Sequence, residues 1–348
     1  MTMASKLRTF TYSTQSEKAQ NRLRSEWPWS IETKLKTKMS GLFTAESKIG
    51  SPPPKEGPRR QSPNCHSLLL FCLLCLLFTF NAETKDITIG SHNLHQFKTS
   101  AEYHKSCIKS HGGIWFGQEL WLSEKQLPQL HQLDAQFVAR SGMEEAVASG
   151  VLRGRPFGGV SIAWSPDLNH VISPLPNYKH KRVVAVELAT SDKNIILMSA
   201  YFPFYDTNNR ATYMAEYTDT ISMIEIIIND HPHHLFIVGG DLNCELNGGS
   251  PFDRLWAEFS SKNRFAYCNH LFSSPGYTYH HLSLGHKKMN DHFFVSQELI
   301  DHNQCHGFKI LDEGQNPSDH LPITMKVLVE IQATQSKENS IHYRPKLN

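Results

Sequence analysis

The chain has 348 residues, 39% hydrophobic and 20% charged, so it can bury at least one sizeable core. A formal net charge of +2 excludes a global basic field as the means of attracting phosphate and leaves that task to local patches or a bound metal. Seven cysteines (Cys65, Cys72, Cys75, Cys107, Cys244, Cys268 and Cys305) are an odd number without a framework of spacings, so reduced thiols in an intracellular protein are expected.

Residues 1 to about 65 are rich in Lys, Arg, Ser and Pro, with Ser51-Pro52-Pro53-Pro54 and Arg59-Arg60 near the end. They carry no apolar periodicity, and a disordered segment is expected. A short hydrophobic segment follows over 66–82, with the Leu/Phe/Cys run Leu68–Phe80 inside it. That run is shorter than the roughly 18–20 residues a spanning helix needs. It has a basic flank, but it lies far from Met1, where a cleaved leader belongs. Three readings stay open: an internal signal-anchor with membrane contact, a segment packing on the domain, or sequence joined by an imperfect gene model. Cys72 and Cys75 have CxxC spacing but no second pair, which argues against zinc.

From Asp86 the pattern becomes regular. Short β-branched and aromatic runs recur at Ile87–Ile89, Ile114–Phe116, Val160–Trp164, Val183–Val186, Ile195–Met198, Leu235–Val238, His292–Val295 and Ile323–Val327. Turn residues separate them, as between many short strands. Met214, Tyr217, Ile221, Ile224 and Ile228 fall at helical spacing and predict a helix covering a sheet face. A second helix is expected around Asp253–Lys262. These elements predict a four-layer α/β sandwich over 86–330: two packed, mostly antiparallel sheets flanked by helices. A polar tail, 331–348, is expected to follow.

Polar residues stand where these runs end. Asn93 follows the first, Gln118-Glu119 the second, and Tyr201 the run that ends at Ala200. Gly239-Gly240-Asp241-Leu242-Asn243 follows Leu235–Val238, Asp291 precedes Phe293, and Ser318-Asp319-His320 precedes the last run. Strand ends of this kind hold the backbone while side chains converge on one cleft. Acids, amides and a histidine are what phosphodiester hydrolysis needs: metal ligands, a water-orienting base and donors to phosphate oxygens.

This ordered set resembles the endonuclease/exonuclease/phosphatase superfamily over about residues 86–330. Tyr201-Phe202-Pro203, the long helix, Gly240-Asp241-Leu242-Asn243 and Pro317-Ser318-Asp319-His320-Leu321-Pro322 are most similar to the endonuclease domains of LINE-type non-LTR retrotransposons. The resemblance implies a Mg²⁺-dependent endonuclease that nicks DNA, with Mn²⁺ as the alternative ion. It implies Glu119 as main metal ligand, helped by Asn93 and Asp319. It also implies Asp241 on the attacking water, Asn243 and Tyr201 as phosphate donors, and His320 on the scissile phosphate, oriented and charged by Asp291. A monomer in nucleus or cytoplasm is expected, with no identifiable protein partner. The competing reading is a small-molecule or lipid phosphatase of the same superfamily, sphingomyelinase-like, anchored through Leu68–Phe80.

Two positions depart from the pattern. His95 stands where an Asp or Asn is usual, and imidazole is a poorer Mg²⁺ partner than carboxylate. The residue before Asp291 is the polar Asn290 rather than an apolar one. Elsewhere, His231-Pro232-His233-His234 reads as a solvated loop. Lys179, His180, Lys181 and Arg182 read equally as a DNA-backbone contact or a solvated strand edge.

Overall fold

Burial in the last strand shows how the sequence lays down a sheet. Within Ile323–Gln332, Met325, Val327, Val329 and Ile331 are buried, while Lys326, Leu328, Glu330 and Gln332 face out. Side chains alternate across a strand, so this period-two pattern fixes which face meets the core. The computed structural model describes residues 82–143, 157–246, 249–271 and 276–332. The stretch 1–65, the Leu68–Phe80 run and residues 333–348 lie outside them. Among the described residues no helix is long and apolar enough to cross a membrane.

In chain order the strands of the first half are β1 (Ala82–Asn93), β2 (Ile114–Gln118), β3 (Gln136–Arg140), β4 (Val160–Trp164), β5 (Ile172–Pro174), β6 (Val183–Leu188) and β7 (Ile195–Tyr201). Those of the second half are β8 (Leu235–Asp241), β9 (Phe265–Tyr267), β10 (Tyr279–His280), β11 (Lys287–Lys288), β12 (Asp291–Ser296), β13 (Cys305–Ile310) and β14 (Ile323–Gln332). The principal helices are α1 (Phe97–His111), α2 (Arg210–Asp230) and α3 (Pro251–Lys262). One sheet runs β13-β14-β1-β2-β4-β3 and the other β5-β6-β7-β8-β12-β9, while β10 and β11 form a separate ribbon. Strand pairing starts at Ala82 and runs to Gln332, a few residues beyond the expected edges at 86 and 330.

Each sheet contains one parallel pair, β1–β2 and β7–β8. In both cases a helix bridges the two strands, α1 in the first and α2 in the second. A parallel pair needs such a crossover; the remaining pairs of the two sheets are antiparallel. The inner faces meet in one apolar core that includes Ile89, Phe116, Ile162, Leu197, Ile237 and Phe293. On the outside of the second sheet, Tyr217, Ile224 and Ile227 of α2 pack with Trp256 of α3 against Met198 and Val238. On the outside of the first, Phe97 and Ile108 of α1 pack against Trp115. The result is the four-layer sandwich that the sequence predicts.

The predicted α2 stripe is slightly rotated. Tyr217, Thr220, Ile221, Ile224 and Ile227 are its buried residues, whereas Met214 and Ile228 are half-buried. Helix α3 starts where Ser250 caps it: the Ser250 hydroxyl accepts from the Asp253 N–H, and Asp253 Oδ2 accepts from the Ser250 N–H.

Gly240 sits at the end of β8 with φ of 140°, and a Cβ there would come 1.9 Å from the Ala200 carbonyl oxygen of β7. Gly240→Ala should therefore strain the strand pair that carries the Gly-Asp motif. The expected loss is about 3 kcal/mol, read as a lower urea midpoint at unchanged slope. His104 of α1 is buried with both ring nitrogens unbonded, and burial pushes its pKa down from 6.5 to about 4. Between these values the unfolded chain binds the proton and the folded one does not. Stability should thus be intact above pH 6.5 and fall by about 3 kcal/mol as pH drops toward 4. Urea unfolding at pH 7 and pH 4.5 checks this, and His104→Phe should flatten the slope.

Candidate active site

Strand register gathers the polar residues. Asn93 pairs with Gln118 across the parallel β1–β2, which places it beside Glu119. Tyr201 pairs with Asp241 across the parallel β7–β8, and Asp241 in turn pairs with Asp291 at the start of the antiparallel β12. β14 pairs with β1 up to Ile323–Ser91, so the preceding Ser318-Asp319-His320 arrives at the Asn93 end. Inside this junction the Ser318 hydroxyl donates to the Asn93 carbonyl at 2.7 Å. All eight predicted site residues are thereby brought to one rim.

Their side chains form one network. Asn93 Nδ2 donates to Glu119 Oε1 and to Asp241 Oδ2, each at 2.9 Å. The Tyr201 hydroxyl donates to the same Glu119 oxygen at 3.0 Å. His320 Nδ1 lies 2.8 Å from Asp291 Oδ2, and its Nε2 lies 3.9 Å from Asp241 Oδ2. Asn243 Nδ2 donates to the Phe202 carbonyl at 2.8 Å and to Asp241 Oδ2 at 3.3 Å, so its amide orients Asp241 here instead of standing free. His95 answers for its own departure: its Nδ1 lies 2.6 Å from Asp319 Oδ1, tying the unusual imidazole to an expected metal ligand.

Several of these residues hold left-handed backbone: His95 (φ 42°), Glu119 (φ 50°) and Asn243 (φ 49°). Side chains other than glycine adopt this region at a cost, and such strain concentrates where function fixes geometry. Sequence reading missed Trp121, whose indole N–H donates to Glu119 Oε2 at 3.1 Å and whose ring meets His95 edge-on. It missed Tyr279 too, whose ring lies tilted against that of His320 at 5.0 Å between centroids. Trp121 lies two residues beyond Glu119, the one sequence signal that could have found it.

Electrostatics follow from burial. Burial drives the Asp241 carboxyl up to about 8; His320 opposes this, while Asp291 and Glu119 add to it. For His320, burial alone would depress the pKa, but Asp291 and Asp241 outweigh it and carry the imidazole up to about 10. Burial would raise Asp319, yet its bond to His95 and the charge of His320 hold it below the usual carboxylate range. Burial pushes Tyr201 well above the usual phenol range, helped by Glu119 and Asp241.

Hard oxygen donors crowd the rim: Glu119, Asp241 and Asp319 all border one cavity of about 600 Å³. Burial, with Asp291 and Glu119 close by, leaves the charge of Asp241 poorly compensated, and that is an environment a divalent cation fits. Ligand atoms of Asp241, Asp291 and His320 also lie within 4.8 Å of one another. A His320 kept protonated by two acids has no lone pair to offer, so this trio lacks an imidazole ligand for a cation.

In two basic stretches Lys179, Lys181, Pro232 and His233 are exposed, as solvated segments would be, while single neighbours turn inward. His231 and His234 are half-buried and anchored, to the Tyr178 hydroxyl at 3.1 Å and Glu187 at 3.1 Å. Arg182 is turned inward: it pairs with Glu216 at 2.6 Å and lies over the Tyr201 ring at 5.4 Å.

No protein-family model matches the sequence, and a search of curated proteins gives no match. Solved structures do align. The endonuclease domain of TRAS1, a telomere-specific non-LTR retrotransposon, superposes with TM-score 0.52 at 15% identity, over 70% of this chain and 99% of that domain. The 3′ phosphatase NExo from Neisseria, bound to a product DNA hairpin, gives 0.52 at 15% identity over 69% and 99%. An AP endonuclease from Archaeoglobus fulgidus gives 0.53 at 14% identity over 69% and 98%. The chain has the endonuclease/exonuclease/phosphatase fold, a class defined by this paired-sheet sandwich.

The charge on His320 should depend on Asp291. Imidazole carbon-bound protons followed by NMR should report a His320 pKa near 10, and Asp291→Asn should lower it by at least one unit while the fold persists.

Proposed function

We propose that this chain is a metal-dependent phosphodiesterase that nicks DNA, an endonuclease of retrotransposon origin. The observation that carries this reading is the single network joining Asn93, Glu119, Tyr201, Asp241, Asp291 and His320 at the rim of one cavity. The shared fold with the TRAS1 endonuclease domain supports it, as do the Tyr201-Phe202-Pro203 and Ser318-Asp319-His320 motifs.

A divalent cation, Mg²⁺ or in its place Mn²⁺, held by Glu119 and Asp319 with Asn93 beside them, would offset charge on the phosphate and leaving oxygen. The protein's own groups do the rest. His320, charged by Asp291, donates through Nε2 to a non-bridging phosphate oxygen. Asp241, held by Asn93 and Asn243, orients the attacking water and takes its proton; a carboxyl raised by burial is a stronger base than an exposed one. Tyr201 holds Glu119 in place and can turn its hydroxyl to the phosphate when that site fills. A nuclear or cytoplasmic location accords with a DNA substrate.

The test is supercoiled plasmid with Mg²⁺ and the full chain. Nicked circles should appear, and Asp241→Ala or His320→Ala should each slow nicking by about 10²–10⁴-fold. Intact plasmid, together with hydrolysis of a phosphomonoester or of sphingomyelin, would overturn the DNA reading.

A further inference from the structure

One basic residue lies behind the site and grips a member of it. Arg182 directly precedes Val183, where β6 begins. The residues bordering the cavity include Tyr201, Glu119 and Asp241 but not Arg182. Its side chain is only 12% exposed, and its guanidinium engages three groups. Nη2 donates to Glu216 Oε2 of α2 at 2.6 Å, and Nη1 donates to the Tyr201 carbonyl at 3.4 Å. The guanidinium carbon lies 5.4 Å from the centroid of the Tyr201 ring, within reach of a cation–π contact. The Tyr201 N–H in turn donates to the Arg182 carbonyl at 3.0 Å. One residue thus holds Tyr201 at its N–H, its carbonyl and its ring.

The grip is itself anchored on α2. Glu216 and Asp219 stand three residues apart, on one face of that helix, and clasp the stretch before β6. His180 Nδ1 accepts from the Arg182 N–H at 3.2 Å, so Nε2 carries the ring proton and donates to Asp219 Oδ2 at 3.0 Å. Glu216 Oε1 lies 3.7 Å from Lys181 Nζ. A guanidinium suits this place because its planar fork reaches a carboxylate and a carbonyl while its face covers an aromatic ring; an ammonium is a point charge and cannot do all three.

The far end of Tyr201 meets the rim. Its hydroxyl donates to Glu119 Oε1 at 3.0 Å, and Glu119 Oε2 accepts from the Trp121 indole at 3.1 Å. Asn93 then joins Glu119 to Asp241. We infer that Arg182, fixed by Glu216 of α2, is a positioning residue that acts through Tyr201 on Glu119. It sets the carboxylate that the proposed mechanism gives to the metal, and it does so without meeting phosphate. The catalytic side of this inference rests on the phosphodiesterase reading. The positioning itself can be read without turnover.

The indole N–H resonance of Trp121 in the full chain, identified by its loss in Trp121→Phe, reports on Glu119 with neither metal nor substrate present. Tyr201→Phe should move it, and Arg182→Met should move it in the same direction. In the Tyr201→Phe background, Arg182→Met should add nothing further. Glu216→Gln, at a half-buried position on α2, should give a smaller shift of the same sign, and it carries the test if Arg182→Met does not fold by circular dichroism. In plasmid nicking, Arg182→Met should lower kcat by about tenfold or more with KM changed by less than about twofold, and should again add nothing to Tyr201→Phe. A resonance unmoved by both Arg182→Met and Glu216→Gln, or effects that add to those of Tyr201→Phe, would overturn the relay. So would a raised KM at unchanged kcat, which would make Arg182 a phosphate contact instead. If the resonance moves as expected while plasmid stays intact with the unaltered chain, the nuclease reading falls and the positioning role stands.

Discussion

The site depends on keeping a carboxylate, Asp241, out of water. It is 1% exposed and ringed by Asp291, Glu119 and Asn93, with His320 as the cationic counterweight. Burying one charge without compensation is prohibitive, so the surrounding groups are obligatory partners rather than optional refinements. Asn93 brings a neutral donor from β1, His320 brings charge from the loop before β14, and Asn243 closes a local turn on Asp241 Oδ1 through its backbone N–H at 2.9 Å. Four distant stretches of chain must meet at that oxygen pair, and the two-sheet sandwich is the device that lets them. The parallel pair in each sheet matters most: it makes strand ends of opposite halves, Asn93 with Glu119 and Tyr201 with Asp241, open in the same direction.

Much of this was legible in the sequence for a physical reason. The eight runs from Ile87–Ile89 to Ile323–Val327 all lie within strands because each is apolar enough to be buried in the inter-sheet core or against the covering helices. The site residues were legible because each follows or precedes such a run. What escaped has its own cause. Helix α1 hides its apolar stripe because Ser100 and His104 are buried within it, so the helical period reads as broken. The strands β3, β5, β9 and β13 are short or lie at sheet edges, and β13 carries a register shift between His306 and Lys309. Edge strands bury less, so their alternation is weaker. Nor could sequence tell that Arg182 turns inward toward Glu216 or that Asn243 spends its amide on Phe202. Such choices belong to tertiary packing.

His95 illustrates how a departure from a family pattern can be absorbed. A carboxylate at that position would face Asp319 with like charge. Imidazole replaces repulsion by a 2.6 Å contact and keeps Asp319 ionised, while Trp121 packs the ring and anchors Glu119. The cluster therefore gives up one anionic oxygen and gains a rigid brace. A hard divalent cation, if bound as proposed, would tolerate this exchange, because such an ion retains several of its own waters and asks few protein ligands.

The pairing of β1 with β14 has a further consequence, one of timing. Ser318 and Asn93, which touch just beyond the end of that pair, are 225 residues apart in sequence. β14 lies inside its sheet, between β13 and β1, so a growing polypeptide has an incomplete first sheet until its last strand is made. Contacts of such long range form late because loop closure must come first. A chain in which β14 has not yet paired with β1 thus lacks His320 at the rim. The rim is assembled only when β14 takes its place between β13 and β1.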